Sequence, residues 1–173
     1  MRWANGGGST REIVAGPDPG EWSWRLSIAD VDSSGPFSPL PGVLRTIALL
    51  HGHGFILRVG GASSTICDPF LPFLFDGADA TTCELIDGPV LDLNLMERGP
   101  KRTLDLQFMS AAAGARCTVG GARVVVVVAG KVTSGRDELD VFDALVGSAA
   151  QISPVSLDAG PGGAVLAVVS SAR

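Results

Sequence analysis

The stretch that decides the fold reads WSWRLSIADV at residues 22–31, GPFSPLPGVLR at residues 35–45 and TIALLHGHG at residues 46–54. In the first segment Trp24, Leu26 and Ile28 alternate with more polar residues, which is typical of a strand with one apolar face. Proline and glycine punctuate the middle segment and predict a turn. Residues 44–50 predict a second strand, with Arg45 near its start and the glycines of the last segment after its end.

One face of these two strands carries polar side chains inside an otherwise apolar sheet. Arg25 and Ser27 lie on the first strand, and Arg45 begins the second. A cationic, hydroxyl-bearing face within an apolar sheet is the feature of this sequence that most resembles a functional site. It predicts an anion pocket, without specifying an activity.

Composition favours one all-β domain. The chain has 173 residues, of which 46% are hydrophobic, 18% are charged and 23 are glycine. This length is sufficient for a substantial core, and the mixture favours short strands joined by turns over long solvent-facing helices. The net charge is −5 and the arginines form no basic run. The charge pattern therefore argues against nucleic acid and against an anionic membrane surface as partners.

The cysteines and the hydropathy pattern bear on location. Cys67, Cys83 and Cys117 are odd in number and form no Cys-x-x-Cys pair, which argues against a disulfide framework or a structural zinc site. Small buried thiols in a reducing compartment are the expected state. The sequence contains neither an apolar signal region near its start nor a segment of transmembrane length. We therefore expect a cytoplasmic protein.

Further strands are predicted along the whole chain. They lie at residues 10–14, 55–59, 81–86, 90–96, 104–109, 115–119, 123–129, 141–145, 151–157 and 164–170. Residues 60–64 predict a turn, and residues 68–77 combine aromatics with prolines and predict an irregular edge segment. Residues 137–145 have a helical alternative, because apolar residues recur there at intervals of three. In the strand at 90–96 the leucines face one side, and Asp92, Asn94 and Met96 face the other.

The chain also shows signs of two halves. Residues 97–102 predict a connector between approximate halves at 1–98 and 103–173. Arg45 lies in a predicted strand that ends in a glycine turn at Gly52. Arg123 is followed by Gly130 at the same spacing. This repeat predicts two related β units in a closed or sandwiched barrel with little helix, an arrangement that protects sheet edges.

Four blocks in order carry a family resemblance. They read WANGGGSTREI at residues 3–13, WRLSIA at 24–29, GPFSPLPGVLR at 35–45 and GPVLDLNLM at 88–96. Over residues 3–98 the sequence thus resembles the HutD/Ves family. The resemblance implies a cupin-like, double-stranded β-helix with two cupin-type halves, forming a single bicupin-like unit over residues 1–173. It also implies a bacterial cytoplasmic protein linked to histidine utilisation or its regulation.

The resemblance further implies a small-molecule partner. The expected ligand is a small carboxylate metabolite of histidine degradation, such as formyl-glutamate or urocanate, bound without a metal. Family members usually carry residues before the Trp block, whereas this chain begins two residues ahead of it. An edge strand is therefore expected to be missing, or the start to be misassigned.

Arginine chemistry supports a binding site. A guanidinium offers a planar fork that holds a carboxylate through two charge-assisted hydrogen bonds. Arg45 is the first candidate; Arg25 is the second, with an ion pair to Glu12 or Asp92 as the structural alternative. Four other residues could orient a ligand through amide or hydroxyl groups, or could instead stabilise a turn or bulge. These are Asn94, Ser27, Thr10 and Asn5.

Metal and nucleophilic chemistry are not expected. His51 and His53 lie on a glycine turn with no nearby carboxylate and no third histidine, so they form an incomplete metal site. The sequence has no Gly-x-Ser-x-Gly motif, and Arg116 beside Cys117 is weak support for a reactive thiolate, because adjacent strand residues point to opposite faces. We assign no catalytic residue, metal or cofactor.

Three functions remain open. A non-catalytic binding protein is favoured over a small-molecule enzyme, an isomerase or hydrolase that would use the same pocket without metal through Asp92 or Asn94. A pure interaction protein is a weaker third option. A homodimer through the apolar edge at residues 69–75 is also expected, because exposed apolar edges attract partners.

Overall fold

The fold is built entirely from strands. The structure, a computed structural model, describes residues 1–3, 6–16, 22–147 and 152–172. Within these ranges the chain forms strands and turns and contains no helix, hence no helix that could span a membrane. The chain divides into two compact units, the N-terminal unit at Met1–Arg102 and the C-terminal unit at Thr103–Arg173.

The N-terminal unit contains two antiparallel sheets. Its strands are β1 (Gly8–Gly16), β2 (Trp24–Val31), β3 (Gly35–Pro36), β4 (Val43–His51), β5 (Phe55–Val59), β6 (Ala62–Ile66), β7 (Phe73–Asp76), β8 (Thr81–Leu85) and β9 (Val90–Arg98). The five-stranded sheet has the order β1-β2-β9-β4-β7, and the four-stranded sheet has the order β3-β8-β5-β6.

One apolar core joins the two sheets. The alternation along β2 and β4 directs Ala29, Val31, Ile47 and Leu49 to one face of the five-stranded sheet, where they pack with Phe55 and other residues of the four-stranded sheet. We call this side of the five-stranded sheet the inner face. It also carries the polar residues described below.

The C-terminal unit is organised around one long strand. Its strands are β10 (Leu104–Ala111), β11 (Arg116–Val119), β12 (Ala122–Ser134), β13 (Asp137–Leu139), β14 (Ala144–Val146) and β15 (Val155–Ser171). The strand β15 pairs with β12 on one side. On its other side it pairs with β11 and then with β10. Buried valines and leucines of β12 and β15 form the core of this unit.

The structure agrees with the predicted strands in most of the N-terminal unit and departs from them in four places. The turn predicted at residues 60–64 is shorter than expected, because only residues 60–61 form a turn and β6 occupies Ala62–Ile66. The helical alternative at residues 137–145 was wrong, since the chain there forms β13, a turn and the start of β14. A two-residue strand, β3, was missed. The predicted strands at 151–157 and 164–170 overlap one strand, β15, which begins at Val155, and residue 151 lies outside the described residues.

Gly130 does not end a strand as the repeat predicted. It lies inside β12, where the register with β15 shifts between Gly130 and Val132. Its φ is +75°, and a Cβ at this position would lie 2.1 Å from the carbonyl oxygen of Gly163. Gly52, its counterpart in the repeat, also has positive φ but follows the end of β4. The two positions share a backbone conformation but not a structural role.

Replacing Gly130 by alanine should therefore destabilise the C-terminal unit. The left-handed backbone and the steric overlap with Gly163 together lead us to expect a loss of about 2 kcal/mol or more in the free energy of unfolding. Urea denaturation would measure it. Gly162→Ala is the matched control, since a Cβ there meets nothing within 4 Å and the φ is not positive. Equal midpoints for the two variants would contradict this account.

Candidate functional site

Polar side chains occupy the inner face where β2, β9 and β4 lie side by side. The strand registers place Met96 between Arg25 and Arg45, and Asn94 between Ser27 and Ile47. In the next row Asp92 lies between Ala29 and Leu49. Arginine, amide and carboxylate groups therefore follow one another along a single face. We call Arg25, Ser27, Arg45, Asp92 and Asn94 the polar cluster.

Arg45 is buried and held on several sides. Only 6% of its surface is exposed, and its guanidinium carbon lies 4.9 Å from the ring centre of Phe37 and 5.1 Å from that of Phe75. One terminal nitrogen donates to Oδ1 of Asn94 at 2.9 Å, whereas Nε is buried without a hydrogen-bond partner. Burial lowers the pKa of Arg45 to about 10, and Asp92 partly offsets this effect. The side chain is thus oriented, with one N–H group unused.

Arg25 lies in the same row and is held differently. A terminal nitrogen contacts Sδ of Met96 at 3.3 Å, and the guanidinium lies 5.1 Å from the ring centre of Trp22. Its Nε is also buried without a partner. Within the described residues Arg25 forms no salt bridge with Glu12 or Asp92, the structural alternative considered from the sequence. Both arginines therefore carry a buried Nε–H group that has no hydrogen-bond partner.

Asp92 and Asn94 form a buried pair. The amide nitrogen of Asn94 donates to Oδ1 of Asp92, while Oδ2 of Asp92 has no hydrogen-bond partner. Asp92 is 1% exposed, and burial raises its pKa to about 7 even though Arg45 and the Asn94 hydrogen bond both act to lower it. The hydroxyl of Ser27, also 1% exposed, has no partner either. Buried polar groups without hydrogen-bond partners are uncommon, and four of the five side chains in the polar cluster carry one.

The thiols of Cys83 and Cys117 show no sign of nucleophilic activation. Burial and the nearby charge of Asp92 raise the pKa of Cys83 to about 12. The pKa of Cys117 is also raised, by burial and by Asp158. Arg116 points to that same Asp158, with Nε 2.6 Å from Oδ1. At neutral pH neither thiol is the thiolate that such chemistry requires.

Four of the six residues singled out from the sequence lie together in the polar cluster: Arg45, Arg25, Asn94 and Ser27. Thr10 lies on β1 opposite Ala29, but its hydroxyl accepts a hydrogen bond of 2.7 Å from the indole of Trp3. It therefore ties the start of the chain to the sheet. Asn5 lies outside the described residues.

The cluster also contains residues that the sequence did not single out as ligand-binding. Asp92 is its most buried charged group, and Phe37, Phe75 and Trp22 cover the two guanidinium groups. Asp92 alternates with Asn94 and Met96 on one side of β9, and this pattern was the available signal. The aromatic contacts carried no such signal, because they depend on which strands are neighbours.

A surface cavity lies near the cluster. It has a volume of about 240 Å³ and is lined by Trp3, Gly7, Ser33, Ser34, Gly35, Pro36 and Phe37. It shares only Phe37 with the surroundings of Arg45, and the ring of Trp3 meets that of Phe37 edge-on at 6.3 Å. Phe37 thus stands between the cavity and the buried guanidinium of Arg45.

The two histidines lie apart from this cluster. Nδ1 of His53 is 2.9 Å from the carbonyl oxygen of Asp87 and 3.6 Å from its carboxylate, and both side chains are well exposed. Among the described residues no three His, Cys, Asp or Glu side chains are grouped so that they could hold a metal ion.

The two-sheet N-terminal unit and its buried polar face define a cupin-like β protein. The cupin 2 conserved barrel domain protein from Leptotrichia buccalis has the same type of fold, with a TM-score of 0.62 over 95% of this chain and 89% of that one at 13% identity, a likeness of fold alone. The HutD family model matches residues 1–167. The chain belongs to the HutD family.

Individual relatives agree with this assignment. A Pseudomonas putida protein described as lying in the hutC 3' region is 41% identical over 112 residues, which cover 62% of this chain and 58% of that protein. Protein Ves of Cronobacter sakazakii is 42% identical over 97 residues, covering 56% and 54% of the two chains. The chain thus spans little more than half the length of the curated relatives it matches.

Two solved structures match the whole chain. A conserved protein of unknown function from Pseudomonas aeruginosa PAO1 has a TM-score of 0.82 at 31% identity. HutD from Pseudomonas fluorescens SBW25, solved in a formate condition, has a TM-score of 0.72 at 32% identity. Each match covers 100% of this chain and 94% of the other.

Proposed function

We propose that this chain is a metal-independent binding and regulatory protein of the cytoplasm that binds a small carboxylate metabolite of histidine degradation, such as formyl-glutamate or urocanate. The observation that carries the proposal is the buried guanidinium of Arg45, which is held between two aromatic rings and keeps an unpaired Nε–H. The association with histidine utilisation draws on the family and on the relative in the hutC 3' region.

The chemistry of the cluster suits a carboxylate. A carboxylate that reaches Arg45 can accept from Nε–H and a neighbouring terminal N–H in the bidentate geometry that makes arginine selective for planar anions. Arg25 adds a second positive charge in the same row, and its Nε–H is also unpaired. Such an anion would offset the charge repulsion between the two arginines.

An enzyme is the second candidate, and one observation favours it. Asp92 is a buried carboxyl group whose pKa of about 7 suits a general acid or base at neutral pH. An isomerase or hydrolase reaction would place the reacting atom of the ligand near Oδ2. Turnover that depends on Asp92 and survives a chelator would support this second function.

A thermal-shift screen tests the proposal. Histidine, urocanate, formyl-glutamate, glutamate and formate would be compared, with and without chelator. At about a hundredfold excess over its dissociation constant, a ligand stabilises the folded state by roughly 2.7 kcal/mol. We expect a clear rise in Tm with one of the carboxylates and the same rise with chelator. No rise with any of them, together with a lower Tm in chelator alone, would contradict both the anion site and its independence of metal.

A further inference from the structure

The inner face changes in character along the strands. Arg25 and Arg45 form a cationic row, Asn94 and Ser27 form a neutral row, and Asp92 follows as an acidic row. Successive rows on one face are two residues apart, or ~7 Å along the strands, but the side chains shorten this span, because Arg45 donates to Asn94 at 2.9 Å and Asn94 donates to Asp92. A ligand whose carboxylate lies at the arginines would therefore extend along the same face towards Asp92, which can accept a hydrogen bond.

One carboxylate oxygen at the acidic end of this face has no hydrogen-bond donor. Oδ1 of Asp92 accepts a hydrogen bond from Asn94. Oδ2 accepts none, although Asp92 is only 1% exposed. The hydroxyl of Ser27, in the adjacent row, is equally buried and unpaired. A buried carboxylate oxygen without a donor is costly, and the cost disappears when a donor arrives with the ligand.

We infer that the site selects carboxylates that also carry an N–H or O–H donor a few ångströms from the carboxylate, with Arg25 and Arg45 holding the carboxylate and Oδ2 of Asp92 accepting from the donor. This inference rests on the proposed function and specifies its ligand class. Asp92 is then a specificity-determining residue, because a carboxylate that lacks the donor leaves Oδ2 unsatisfied. Formate and simple alkyl dicarboxylates are poor ligands for that reason.

Matched probes separate the donor from the carboxylate. N-formyl-L-glutamate and its N-methyl derivative carry the same carboxylates, but only the first has an N–H group. Urocanate and 3-(2-furyl)acrylate form a second pair, in which a furan replaces the imidazole. Calorimetric titration of the wild-type chain should show at least about tenfold tighter binding of the donor-bearing member of a pair, since hydrogen bonds to charged groups are among the strongest in proteins.

Asp92→Asn tests the assigned acceptor. The new amide keeps an oxygen for the hydrogen bond from Asn94 and presents an NH2 group where Oδ2 was, so the preference for a donor should vanish or reverse while carboxylate binding persists. Asp30→Asn is the matched control, because Asp30 is exposed on the other face of β2 and accepts from the Ser9 hydroxyl. It should keep the wild-type preference.

The outcomes distinguish this inference from the proposed function. If the wild-type chain binds both members of each pair equally, the donor selectivity is wrong and the carboxylate site stands. If Asp92→Asn keeps the preference, Asp92 is not the acceptor and the inference falls. If none of the four probes binds the wild-type chain, the carboxylate site and its selectivity both fall.

Discussion

Replacing Arg45 by alanine is expected to weaken binding of the carboxylate found in the ligand screen by at least about a hundredfold, because it removes one partner of a buried charge-assisted pair. The ring contacts with Phe37 and Phe75 hold the Arg45 guanidinium in place, and after its loss only Arg25 of the cationic row remains to hold the carboxylate. The fold should persist, since Arg45 is a buried cation with an unsatisfied Nε and burial disfavours its charged form. Calorimetric titration would measure the affinity, and far-ultraviolet circular dichroism the fold.

Two further variants sharpen this test. Arg45→Lys keeps the charge but loses the planar fork, so it should bind more tightly than the alanine variant and more weakly than the wild type. Arg58→Ala removes one positive charge from β5, where Arg58 forms an exposed pair with Glu84 of β8, and should leave binding unchanged. Wild-type affinity in Arg45→Ala would remove the main support for the proposed site.

Replacing Asp92 by asparagine is expected to make the protein more stable above neutral pH. The pKa of Asp92 is about 7 in the folded chain and 3.8 in the reference state. Between these values the folded protein holds a proton that the unfolded chain releases, so the free energy of unfolding falls as pH rises from 4 to 7. A shift of this size corresponds to a few kcal/mol, about 1.4 for each pKa unit. Asparagine does not titrate, so the Asp92→Asn variant does not lose stability in this way as the pH rises.

Urea denaturation at several pH values would test this prediction. The wild-type profile should decline between pH 4 and 7 relative to that of Asp92→Asn and run parallel to it above about pH 7. The charged groups that act on Asp92 are Arg45 on β4 and Asp30 on β2. Asp30→Asn should therefore keep most of the wild-type slope. Parallel profiles for wild type and Asp92→Asn throughout would show that Asp92 does not titrate in this range.

The polar cluster could be anticipated from the sequence only in part. Alternation along β2 and β4 placed Arg25, Ser27 and Arg45 on a polar face, and the structure locates them side by side. Their common location depends on β9, which lies between the two strands although it is distant from them in sequence. Register across non-consecutive strands cannot be read from local periodicity, so Asp92 was considered only as an ion-pair partner of Arg25 or as a residue of the alternative enzyme.

The errors in the fold have equally local causes. The strand β6 has the sequence ASSTI, and such a polar segment lacks the apolar alternation that marks a strand. In β15 the segment Gly160-Pro-Gly-Gly163 reads as a turn, yet strand geometry continues through it. The pairing with β12 steps from Ala159 directly to Ala164 there. This segment thus lies at an irregularity within β15 and does not end a strand.

The arrangement of β15 has a consequence for how the protein is made. During synthesis β10, β11 and β12 leave the ribosome well before β15, the strand with which all three pair. Leu104 pairs with Ser171, which is synthesised much later. Nascent C-terminal units therefore expose apolar strand edges until β15 has emerged. The strands β2, β4 and β9 of the polar cluster all precede this unit. We therefore expect the N-terminal unit to become compact during translation, while the C-terminal unit depends on chaperone protection until β15 has emerged.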